Sequence, residues 1–176
     1  MTRPVHLLWM YGMYGPITDP GSREFVNRVV GDIPNIDVHK SPYRDYDVNQ
    51  IVDIVKGLSS DSVIFVGGTS LGSNNAPIVA EYAKRNIHGV FGFQASYWGA
   101  HSELTKNVLF AHLFYSLNPL NGGLGSYIWK PVQGFDVARF HHDERDLIHP
   151  GDGDIRSQNA FLDEMKRIIA NPGDGQ

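Results

Sequence analysis

Apolar residues along this chain come in short unbroken runs, separated by stretches with helical spacing. Residues 5–12, VHLLWMYG, are apolar and end in Gly, which predicts a strand buried on both faces. In 19–32, Phe25, Val26, Val29 and Val30 share one helical face, with Asp19 and Ser22 as candidate caps and Gly31 at the end. Residues 35–42, NIDVHKSP, read as a second strand stopped by Pro42. Over 45–58, Val48, Ile51, Val52, Val55 and Leu58 return at helical spacing, with Lys56 late, where the helix dipole favours a cation. Residues 62–68, SVIFVGG, form a third buried run, 75–85 a helix and 87–96 a fourth strand. Asn74 or Asn75 is the expected cap of that third helix, which leaves Pro77 in its first turn.

Strands alternating with helices predict βαβ units and a parallel sheet covered on both sides. The expected fold is therefore α/β, a three-layer α/β/α sandwich with a mostly parallel sheet. After Ser96 the rhythm loosens. Residues 102–117 read as a strongly apolar helix and 118–125 as turns, with 126–132 and 135–142 as two further strands. Residues 154–170 read as a closing amphipathic helix with Phe161, Leu162, Met165, Ile168 and Ile169 inward. One domain over residues 1–170 is expected, followed by a flexible tail at 171–176.

Composition narrows the function classes. A chain of 176 residues with 41% hydrophobic residues is ordinary globular material. A net charge of −4 supplies no basic face for nucleic acid. There is no Cys, which removes disulfides, thiol chemistry and Cys-based zinc sites together. The apolar stretch from Val5 to Tyr11 lacks a cleavage site and is far shorter than a membrane span. A cytoplasmic protein is expected, its oligomeric state left open.

Candidate chemistry centres on residues 68–72, Gly68-Thr69-Ser70-Leu71-Gly72, which fit G-x-S-x-G directly after a buried strand and before a helix. A sharp strand-to-helix turn there exposes the serine Oγ above the sheet, and the glycines let neighbouring backbone pass without a Cβ clash. No Lys follows Gly72, so this is no P-loop, and Gly67, Gly68 and Gly72 are spaced wrongly for a dinucleotide fingerprint. With this motif the chain resembles the α/β-hydrolase superfamily in its small, lid-poor lipase, esterase and cutinase-like form. More loosely, GTSLGSNN, FQASYWG and HPGD look like uncharacterised hydrolase-like proteins of bacteria and phages.

The resemblance implies a minimal α/β-hydrolase fold and a nucleophile, acid and base in the order Ser, acid, His. Ser70 is the nucleophile in this reading. His149, in a loop between the last strand and the last helix, is the base, with His142 next. Asp136 is the first candidate for the acid, with Asp146 and Asp143 as alternatives; a dyad without an acid also remains open. The oxyanion hole falls to the backbone N–H groups of Leu71 and, in the loop 11–16, Met13. Tyr97 and Trp98 follow a strand's carboxyl end, where open α/β sheets place ligands, and are candidate substrate contacts.

Asp143, Asp146, His149 and Asp152 match no zinc or EF-hand spacing, so neither a metal nor a cofactor is expected. The expected activity is hydrolysis of a small or medium acyl ester through an acyl-enzyme. A hydrolase-like fold that binds a ligand or partner without catalysis is the alternative.

Overall fold

The computed structural model describes residues 3–12, 20–40, 48–95, 102–116, 128–145 and 153–172. The first half follows the apolar pattern closely. Strand β1 (Val5–Met10) is followed by helix α1 (Pro20–Asp32), β2 (Ile36–Lys40), α2 (Val48–Gly57), β3 (Val63–Thr69), α3 (Leu71–Ala83) and β4 (Gly89–Phe93). The second half contains β5 (Glu103–Leu104), β6 (Ala111–Tyr115), β7 (Lys130–Pro131), a 3-10 turn at Val137–Arg139, β8 (Phe140–Glu144) and α4 (Ile155–Ala170).

Six strands form one parallel sheet in the order β2-β1-β3-β4-β6-β8. The inner strands β3, β4 and β6 are buried along their whole lengths, which is why their sequences are almost entirely apolar. The edge strands β2 and β8 are partly exposed and carry Asp37, His39 and Lys40 on one and His141 to Glu144 on the other. Charge at an exposed edge discourages pairing with another chain.

Alternate residues of each strand feed two cores. Leu8, Ile64, Val66, Val90 and Leu113 pack with Ile51, Val52 and Val55 of α2 and with Ala76, Val79 and Ala80 of α3. Leu7, Trp9, Phe65, Phe91, Phe93 and Phe114 pack with Phe25, Val26 and Val29 of α1 and with Phe161, Leu162 and Met165 of α4. The result is the expected three-layer sandwich.

Four expectations need correction. The helix expected over 102–117 is two strands, β5 and β6, joined by a turn. Every position of the run 108–115 is buried and all but His112 are apolar, with no polar stripe, and such a run is satisfied between two neighbouring strands and two helical layers. Likewise, the strand expected over 135–142 begins only at Phe140, because Asp136 caps the 3-10 turn before it. Helix α3 starts at Leu71 rather than at Asn74 or Asn75, so Pro77 lies inside the helix and cannot donate to the Ser73 carbonyl. Ser22, a candidate cap, is instead buried within α1 and accepts a hydrogen bond from Trp9 Nε1 at 3.1 Å.

Candidate active site

The serine turn is built by three backbone segments that meet without side chains between them. Strand β3 ends at Thr69, and the Ser70 N–H still donates to the Phe93 carbonyl of β4 at 2.9 Å. At the next residue α3 begins, and the Asn74 N–H donates to the Ser70 carbonyl at 3.3 Å. Reversing direction within one residue forces Ser70 to φ 52° and ψ −121°, a conformation that a residue with a Cβ rarely adopts.

The flanking glycines are required by space. A Cβ on Gly68 would lie 2.4 Å from the Met10 carbonyl oxygen and 2.6 Å from the Gly72 carbonyl carbon. A Cβ on Gly72 would lie 2.2 Å from the Met10 oxygen and 2.6 Å from the Tyr11 oxygen. Backbone atoms of β1 and of the turn itself occupy these positions and have no rotamer by which to withdraw. The close approach of β1, β3 and α3 is thus conditional on both glycines.

Buried polar contacts brace the turn on both faces. Trp9 Nε1 donates to Ser22 Oγ, which donates to Thr69 Oγ1 at 3.2 Å, joining β1, α1 and the residue before the serine. On the α3 side, Ser102 Oγ donates to the Asn74 carbonyl at 2.5 Å. Ser70 itself is 9% exposed. Leu71 opens α3, so its N–H belongs to the first turn, whose donors have no acceptor within the helix and carry the positive end of the helix dipole.

Ser70 also occupies the position where an open α/β sheet binds ligands. The chain runs from β1 outward to β2 and then crosses back to β3, so the connections diverge between β1 and β3. The crevice above the carboxyl ends of such neighbouring strands is the general ligand site of this architecture. Ser70, Gly12 at the end of β1, and Gln94 at the end of β4 (buried, φ 44°) surround it.

The other candidates are distributed unequally. Met13, Tyr97, Trp98, Asp146 and His149 lie outside the described residues. Asp136 precedes β8, whose first residue Phe140 pairs with Ala111, the first residue of β6. In a parallel sheet this is the amino edge, opposite to Ser70. The Asp136 carboxylate accepts the Ala138 N–H at 3.1 Å and pairs with Arg139 Nε at 3.2 Å. The structure therefore does not bring Asp136 to Ser70: the whole of β8 runs from the amino edge, next to Asp136, toward the carboxyl edge.

Asp143 is nearer the carboxyl edge but is engaged by His112 Nε2 at 3.0 Å. His112 lies on β6 among Phe114, Phe161 and Phe110, and its Nδ1 has no partner among the described residues. Burial lowers its pKa, against the raising effect of Asp143. His88 is held neutral in a similar way: burial lowers its pKa, and its Nδ1 accepts the Ile64 N–H at 3.2 Å. Both histidines are committed to contacts within the sheet. His141 and His142 are both exposed, on opposite faces of the edge strand β8.

Sequence reasoning passed over one group. His6, Asp37 and His39 converge on the β1–β2 pair, and among the described residues they are the only three His, Asp or Glu side chains whose ligand atoms cluster closely. A D-x-H alternation in one strand and a single His in its expected neighbour was the available signal.

No protein-family model matches the chain, and no curated protein sequence matches it.

Proposed function

We propose that the protein is a serine hydrolase acting on a small or medium acyl ester. The observation that supports this reading best is the backbone of Ser70: φ 52° between two glycines whose Cβ positions are filled by main chain, at the carboxyl end of β3. A fold keeps strain of this kind where its surroundings over-determine it, and a serine presented this way heads a helix whose N–H groups face developing negative charge. The unbroken passage from strand to helix is the context that gives G-x-S-x-G mechanical meaning.

In this reading the Ser70 Oγ attacks the ester carbonyl, and His149 takes the hydroxyl proton and returns it to the leaving alcohol. The Leu71 N–H, joined by that of Met13, stabilises the tetrahedral oxyanion, and water then releases the acid. Tyr97 and Trp98 are the substrate contacts of this proposal. With Asp136 on the opposite edge and Asp143 bound to His112, the base is supported by Asp146 or acts as half of a Ser–His dyad. A dyad is chemically sufficient, because the third group orients the base rather than performing a step.

The test is a fluorophosphonate probe together with p-nitrophenyl ester turnover. Labelling of the folded protein, abolished in Ser70→Ala, and a loss of kcat on the order of 10³-fold or more in His149→Ala are expected. A folded protein that takes no label and turns over no ester would instead be a binding protein built on the same sheet.

A further inference from the structure

We propose that His6, Asp37 and His39 form a zinc site that clamps the edge strand β2 onto β1. His6 and Asp37 are directly paired across the parallel ladder, and His39 lies two residues beyond Asp37, so all three project to the same side of the sheet. His6 Nδ1 and His39 Nε2 are 3.3 Å apart, and Asp37 Oδ2 is 3.6 Å from the first and 3.3 Å from the second. Three lone-pair atoms thus form a nearly equilateral triangle around one point.

The size of that triangle selects the ion. Zinc–nitrogen and zinc–oxygen bonds of about 2.0–2.1 Å in tetrahedral geometry place ligand atoms about 3.3–3.4 Å apart. Neighbouring ligands at right angles, as in six-coordinate sites, would stand closer, at about 2.9 Å for the same bond lengths. Two imidazoles and a carboxylate also suit zinc better than magnesium or calcium, which prefer all-oxygen sets.

The site is partly buried and reachable. The His6 and His39 side chains are 13% and 24% exposed, while Asp37 is 64% exposed and leaves a fourth position open to solvent. Arg85, whose charge is felt at His6, donates instead to the carbonyls of Val55, Leu58 and Ser59. The triangle lies on the half of the sheet away from the serine turn: His6 is level with Ile64, six residues before Ser70. The zinc proposal therefore stands independently of the hydrolase reading.

The experiment is titration of ZnCl₂ into chelator-stripped full-length protein, followed by calorimetry in a non-coordinating buffer. Wild type is expected to bind one equivalent with micromolar or tighter affinity and to unfold at a higher temperature when loaded. Asp37→Asn and His39→Gln, both on the edge strand where the fold tolerates them, are each expected to weaken binding at least tenfold, with the far-ultraviolet spectrum unchanged. His142→Gln controls for adventitious binding at the other His-rich edge and is expected to bind as wild type does. Wild type that takes up no zinc, or either β2 variant binding as tightly as wild type, overturns the proposal.

Discussion

Ser70 holds a backbone conformation that its own Cβ opposes, while at Gly68 and Gly72 beside it an added Cβ would lie 2.2–2.8 Å from main-chain atoms. Strain at the serine and space at the glycines are separable by substitution. Ser70→Ala keeps the Cβ and the strain, whereas Ser70→Gly removes both and enters the same region of φ/ψ freely. Ser70→Gly is therefore expected to be more stable than Ser70→Ala by about 1 kcal/mol in urea denaturation, even though both lack the hydroxyl. Equal midpoints for the two would show that the turn carries no strain at this residue.

At the scale of elements, α4 does more than close the chain. Asp154 caps it, accepting the Ser157 N–H at 3.0 Å, and Arg28 of α1 donates to Gln158 at 2.7 Å. Phe161 then reaches the aromatic layer over the sheet, with ring centroids 4.6 Å from Phe93, 4.9 Å from Phe114 and 5.0 Å from Phe91. Those three strand residues belong to one core cluster with Phe25 of α1, so Phe161 joins both helices of that layer to β4 and β6. Phe161→Ala is expected to cost about 3–5 kcal/mol, measured by urea unfolding. Phe161→Leu, which keeps most of the volume, is expected to cost less than about 1.5 kcal/mol. A small loss in the alanine variant would mean that α4 packs loosely on the sheet.

For the whole molecule, two partly buried histidines tie stability to pH. Burial depresses His88 first, with Arg3 and Arg85 adding to the effect; burial also depresses His112, against the opposing pull of Asp143. Both therefore bind protons less readily folded than unfolded. Their contribution to stability is present above the unfolded value of about 6.5 and is lost as pH falls through the lower folded values. The urea midpoint, measured with chelator present, is expected to decline from pH 7 to pH 5. His88→Gln is expected to flatten part of that decline. A midpoint that stays level over this range would show that neither histidine is held neutral by the fold.

The alternation of apolar runs and helical stripes was enough to place β1 to β4, α1, α2 and α4, because a strand covered on both faces and a helix covered on one leave different periods in the chain. It was enough to place the strand-to-helix turn at Ser70 as well, since the pentapeptide and its strand context are both local. It failed over 102–117, where an apolar run without a polar stripe fits a buried helix and a buried strand equally; the pairing of β6 with β4 and β8 decided for a strand there. It failed for Asp136, because position along the chain says nothing about which edge of the sheet a loop occupies. The His6–Asp37–His39 triangle depends on the register of two strands joined through a helix, and register is settled when the two cores close around the sheet. Local order thus came from the sequence alone; the meeting of distant side chains was decided by the tertiary structure, because hydrophobic burial fixes which strands are neighbours and at what level.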